Sequence, residues 1–144
     1  MRRRILTCLL VMTAGTALAH SGVKNAAVKA RMDAMSQIGS GMKVLGQMAK
    51  GEAAFDAAAA RAAAAQIARH AGETPALFKA QEDDPKSEAR AEIWANYPDF
   101  TARAGDLETL AAGLSQSISS AGDLRTAVPA LGAACKGCHS KYRE

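Results

Sequence analysis

Aromatic side chains are nearly absent, with one Trp, two Tyr and three Phe in 144 residues. An apolar core must therefore come from Leu, Met, Val and Ala, or from something added to the chain. Proline is scarce at 4 and glycine stands at 12, which excludes collagen-like and low-complexity structure. The β-branched runs that build sandwiches and barrels are missing. With 49% hydrophobic and 22% charged residues, the chain is too apolar and too evenly charged for a disordered one. What abounds is alanine, 34 residues of it, and alanine is the strongest helix former.

A large excess of charge is lacking too, once the N-terminus is read. Arg2, Arg3 and Arg4 precede an uncharged stretch over 5–17, and Ala17-Leu18-Ala19 forms a small-x-small site. This pattern predicts a secretory signal peptide over residues 1–19 and a single domain over residues 20–144, beginning at His20. The apolar stretch is shorter than the roughly 20 residues a membrane-spanning helix needs, so stable membrane insertion is not expected. The formal charge of +4 includes the three leader arginines. Of 18 basic residues 15 then remain, against 14 acidic ones, a mature charge of +1. A nucleic-acid partner loses its only support. Cys8 leaves with the leader, so Cys135 and Cys138 are the two cysteines of a mature chain addressed to the periplasm.

Apolar residues at three-four spacing predict a first helix over about 23–50, stopped by Gly51. Asp56 caps a second, which runs through the alanine tract to Ala71 and ends at Gly72. A third extends from Pro98 to about Ala121, with Gly122 as its end. Asp123 caps a fourth that reaches nearly to the C-terminus, with Pro129 expected to kink it. Residues 73–95, with Pro75, Pro85 and Glu82-Asp83-Asp84, read as an irregular crossover in which 74–78 and 92–94 pack back as short turns. His70 is expected on the surface. Four such helices in one domain predict an all-α, antiparallel up-down-up-down four-helix bundle.

The chemistry lies in Cys135-Lys136-Gly137-Cys138-His139. Cys-x-x-Cys-His is the attachment pattern of c-type haem. On a helix, residues three and four apart share a face. Both thiols can then reach the vinyl groups on one side of a porphyrin and form thioethers, and His139 can offer its imidazole to the iron as proximal ligand. Two other readings compete. A thiol-disulfide pair usually sits at a helix N-terminus after a strand, whereas this one lies near a helix C-terminus in a chain without strand pattern. A zinc site needs further ligands, and only His20 and His70 are available.

Only five residues follow His139. A haem motif at the C-terminus, together with Met42-Lys43-Val44-Leu45-Gly46-Gln47-Met48-Ala49-Lys50-Gly51-Glu52, Phe55-Asp56-Ala57-Ala58-Ala59 and Glu92-Ile93-Trp94, resembles the class II cytochromes c, that is, cytochrome c′ and its low-spin relatives. The resemblance covers essentially all of the mature chain. It implies a bundle with one covalent haem c held between the helices near one end. It also implies that Arg31 lies near a haem propionate, that Trp94 packs near the haem, and that Met35, sixteen residues before Gly51, is the distal ligand of low-spin members. In an antiparallel bundle the N-terminal half of the first helix is at the height of the last helix's C-terminus, which agrees with Met35.

Two functions follow from these residues. One is a periplasmic carrier of single electrons with His/Met ligation, whose partners are redox proteins of the periplasm. The other is a five-coordinate haem protein that binds nitric oxide or carbon monoxide. An enzyme is not expected, because no distal His-Arg pair at helical spacing is evident. Homodimerisation is compatible with either function.

Overall fold

The computed structural model describes residues 22–144, so the expected signal peptide over 1–19 and His20 lie outside the described residues. Four long helices and one short one follow in the order α1 (Ala26–Ala49), α2 (Ala57–Leu77), α3 (Glu92–Ala95), α4 (Tyr97–Ser117) and α5 (Ala121–Tyr142). The long helices are neighbours around a ring, α1 on α2, α2 on α4, α4 on α5 and α5 back on α1. The architecture is the expected all-α four-helix bundle.

Caps explain where the helices begin. Asn25 Oδ1 accepts from the backbone N–H groups of Ala27 and Val28 at 2.8 and 3.1 Å, and Asp56 Oδ1 accepts from Ala59 N at 3.0 Å. Gly51, at φ +74°, turns the chain after α1 in a conformation that costs glycine little.

Three boundaries differ from the sequence expectation. Helix α2 does not end at Gly72 but continues through it and through Pro75 to Leu77. Its last turn is held by tertiary contacts: Thr74 and Phe78 are buried, and the Tyr97 hydroxyl donates to Pro75 O at 2.5 Å. Helix α4 ends at Ser117 rather than Ala121, because Ile118 leaves the helix at ψ 120° and is fully buried. Ser120, not Asp123, caps α5, and the two form a reciprocal capping box. Helix α5 continues on both sides of Pro129. His70, expected on the surface, is buried at 8% exposure, with Nδ1 2.8 Å from Glu73 Oε2.

Alanine makes the bundle tight on one side. Ala60, Ala63, Ala64, Ala68 and Ala71 of α2 are buried against α1 and α4, so those backbones approach closely. The apolar interior falls into two clusters. The larger contains Ile38, Leu45, Ile67, Ile118, Leu124 and Leu131. The smaller contains Phe78, Ile93, Phe100 and Tyr142. Between them lies open space.

Candidate haem site

That space is a cavity of about 750 Å³ whose walls include members of both clusters. Its volume is in the range of cofactor pockets. Cys135, Cys138 and His139 line it from α5, and Met32, Met35 and Met42 line it from α1. The two cysteines are free and half-buried. Because they stand three apart on one helix, with His139 four after the first, thiols and imidazole are presented from one face.

Electrostatics argue against the competing readings of these cysteines. Burial pushes both thiols above their ordinary value, with Arg103 opposing the shift at Cys138. A catalytic redox pair needs the opposite, a stabilised thiolate. Among the described residues no cluster of three or more His, Cys, Asp or Glu side chains could hold a metal ion. Burial also pushes His139 below its usual value, with Arg143 adding to the effect and Glu88 opposing it. The shift favours the neutral imidazole, the form in which it can ligate a metal.

The turn bearing His139 is fastened to two other segments. Arg103 lines the cavity from α4 and bonds through Nε to Asp99 Oδ2 at 2.8 Å. Lys141 Nζ reaches the same oxygen at 3.0 Å. The crossover pairs with the C-terminus through Arg90 N to Tyr142 O at 3.1 Å and Glu144 N to Glu88 O at 3.0 Å. Arg143 Nε donates to Glu88 Oε2 at 2.5 Å.

Of the pocket residues expected from sequence, Met35 is half-buried on the cavity wall and packs against the larger cluster. Arg31 also lines the cavity, but it is no solvated charge. It is 3% exposed and donates to three backbone carbonyls. Trp94 does not line the cavity; its Nε1 donates to Phe78 O at 2.8 Å and its ring lies 5.4 Å from the Arg31 guanidinium. Sequence reasoning missed Asp99, Arg103, Glu88 and Tyr142. The Asp99–Arg103 spacing of four was a readable signal, whereas Glu88–Arg143 is a contact across 55 residues that no local pattern marks.

Comparison with known proteins bears on what the cavity holds. Residues 26–143 match the family model described as Cytochrome C'. The chain belongs to the cytochrome c′ family. Cytochrome c-556 of Agrobacterium fabrum is 39% identical over 117 residues, covering 81% of this chain and 80% of that protein. Cytochrome c′ of Pararhodospirillum photometricum is 37% identical over 121 residues, covering 81% and 95%. Among solved structures, oxidised cytochrome c556 of Rhodopseudomonas palustris superposes with a TM-score of 0.75 at 30% identity, covering 84% of this chain and 98% of that one. Cytochrome c′ from the same organism gives 0.78 at 27% identity, with the same coverage.

Covalent haem c is accordingly the cofactor of this cytochrome, and its residues fit the group. Two thiols on one helix face could form the thioethers, the imidazole beside them could meet the iron, and an apolar cavity of about 750 Å³ has room for the macrocycle.

Proposed function

We propose that this cytochrome carries single electrons in the periplasm, with Cys135 and Cys138 holding the haem, His139 as proximal ligand and Met35 as distal ligand. The observation that carries the reading is that Met35 lines, from α1, the same cavity that His139 lines from α5. When bound, the haem supplies an iron that alternates between ferric and ferrous states. The protein's part is to hold that iron dry and in one geometry. A thioether ligand favours the ferrous state and raises the potential, which suits a carrier.

The cavity offers little for turnover. His139 is the one imidazole among its described lining residues, the Arg31 guanidinium is bonded to carbonyls, and Arg103 and Arg143 are paired with Asp99 and Glu88. Arg31 has further N–H groups with which to meet a propionate. Trp94 would act on the haem region through Arg31 and Phe78, which it touches. No helix among the described residues is long and apolar enough to cross a membrane. With the leader pattern over 1–19, this supports periplasmic redox proteins as partners.

Visible absorption and electron paramagnetic resonance of the purified protein test the reading, with carbon monoxide as probe. Wild type should be low-spin and bind carbon monoxide slowly. Met35→Ala should turn high-spin and bind it fast, while Met32→Ala and Met42→Ala should leave the spectra as they are. A high-spin wild type would favour the gas-binding reading, which the cytochrome c′ relatives make the natural second.

A further inference from the structure

The Arg31 side chain is nearly spent on structure. Nε donates to Leu77 O at 2.9 Å, Nη1 to Glu82 O at 2.8 Å and Nη2 to Ala80 O at 2.6 Å. Leu77 is the last residue of α2, where carbonyls have no partner within the helix. The guanidinium also lies 4.8 Å from the Phe78 ring centroid and 5.4 Å from that of Trp94. A buried charge is tolerable only when bonded this fully.

The same loop grips the start of α1. Asp84 is buried, and its Oδ2 accepts from Lys24 N at 2.8 Å and Asn25 N at 3.0 Å. Glu82 Oε2 accepts from Asn25 Nδ2 at 2.7 Å. Residues 24–31 are therefore tied to residues 77–84 at both ends, and Met35 follows one turn later on the same helix.

On the cavity side, this half of α1 faces open space. The cavity separates it from the cysteines and His139 of α5, being lined from Val28 to Met42 on one side and from Gly132 to Tyr142 on the other. The spacing between the two walls must be fixed by an element that touches α1 from elsewhere. Helix α2 packs along α1, and loop 77–84 adds the side-chain hydrogen bonds that hold the N-terminal end of α1.

We infer that Arg31 is a positioning residue for the distal side: by clamping α1 to the end of α2 and the crossover loop, it sets how far Met35 stands from the haem-bearing face of α5. This rests on the reading of Met35 as distal ligand. A lysine cannot replace it, since one ammonium cannot span three separated carbonyls as a planar fork does.

The test uses holoprotein of wild type, Arg31→Met, Arg31→Lys and Leu124→Ala, all well below their melting temperatures. Leu124 is fully buried in the larger cluster and does not line the cavity, so it serves as a control for simple loss of stability. Spin state is read by absorption and paramagnetic resonance, and access by the carbon monoxide association rate. Arg31→Met should gain high-spin character and bind carbon monoxide roughly tenfold faster, as expected when the fraction of iron with Met35 off rises by that factor. Arg31→Lys should lie between it and wild type, and Leu124→Ala should lose stability with neither change. If Arg31→Met does not fold, Asp84→Asn, which sets an amide against the Lys24 and Asn25 N–H donors at the start of α1, should show the same two shifts. The inference is overturned if the clamp variants keep the wild-type spectrum and rate, or if Leu124→Ala reproduces their change. A five-coordinate wild type would remove the Met35 reading, visible in its own spectrum. The clamp would then stand or fall on whether carbon monoxide association changes in Arg31→Met and not in Leu124→Ala.

Discussion

The Tyr142 hydroxyl donates to Asp99 Oδ2 across the α4–α5 interface, three residues beyond His139. Arg103 Nε and Lys141 Nζ converge on the same oxygen at 2.8 and 3.0 Å. The Tyr142 ring meets Phe100 edge-on, with centroids 5.3 Å apart and an interplanar angle of 88°. One carboxylate on α4 thereby fastens the turn of α5 that presents His139.

Those donors, Arg103 first, then Tyr142 and Lys141, hold the Asp99 carboxyl far below the usual carboxylate range. A depressed folded value means that the ionised group stabilises the native state above its unfolded value of about 4, and that this contribution is lost as pH falls toward the folded one. Asp99→Asn should therefore melt lower than wild type at neutral pH, with the difference narrowing below about pH 4. Thermal melts of both holoproteins between pH 2 and 7 check this. A difference that stayed constant over that range would show that the carboxylate's charge does not matter.

Two glycines of α1 should respond in opposite ways to alanine. A Cβ at Gly41 would lie 2.8 Å from Ile67 Cγ1 and 2.9 Å from the Ala63 carbonyl oxygen. Backbone cannot swing aside as a side chain can, so Gly41→Ala should cost about 1–3 kcal/mol, the usual range for overpacking. Gly46 has nothing within 4 Å of the same position. Gly46→Ala should stabilise by about 0.5–1 kcal/mol through helix propensity alone. Chemical unfolding of the two variants beside wild type would read both signs.

What was legible in the sequence was chemistry with local spacing. Cys135, Cys138 and His139 stand out because a c-type haem pattern places three residues on one helical turn, and the structure brings all three to one cavity. The Gly51 stop also follows from near neighbours, whereas the expected start at about 23 overran the Asn25 cap. The end of α2 was not legible, because Gly72 and Pro75 both argue locally for a break. Burial of Thr74 and Phe78 and the bond from Tyr97 outweigh that preference. The cap of α5 was readable as Ser120-x-x-Asp123, yet Gly122 drew the cap to Asp123, three residues too far. Arg31 was legible as a residue of the pocket, but its carbonyl partners lie 46 to 51 residues away, and no periodicity encodes such a distance.

The last expectation concerns the scarcity of aromatics. The bundle's interior is two apolar clusters with a cavity of about 750 Å³ between them, so the polypeptide alone leaves much of its apolar surface without a partner. A haem seated there covers that surface, and each Å² removed from water is worth roughly 25 cal/mol. It would also meet residues of both α1 and α5, which line the cavity. The Cys135→Ala, Cys138→Ala double variant, prepared without attached haem, should therefore melt well below the holoprotein and bind dyes that report exposed apolar surface. Scanning calorimetry and dye fluorescence on the two proteins measure both properties. Equal melting temperatures would mean that the clusters suffice by themselves, and that the haem fills the cavity without contributing to the fold.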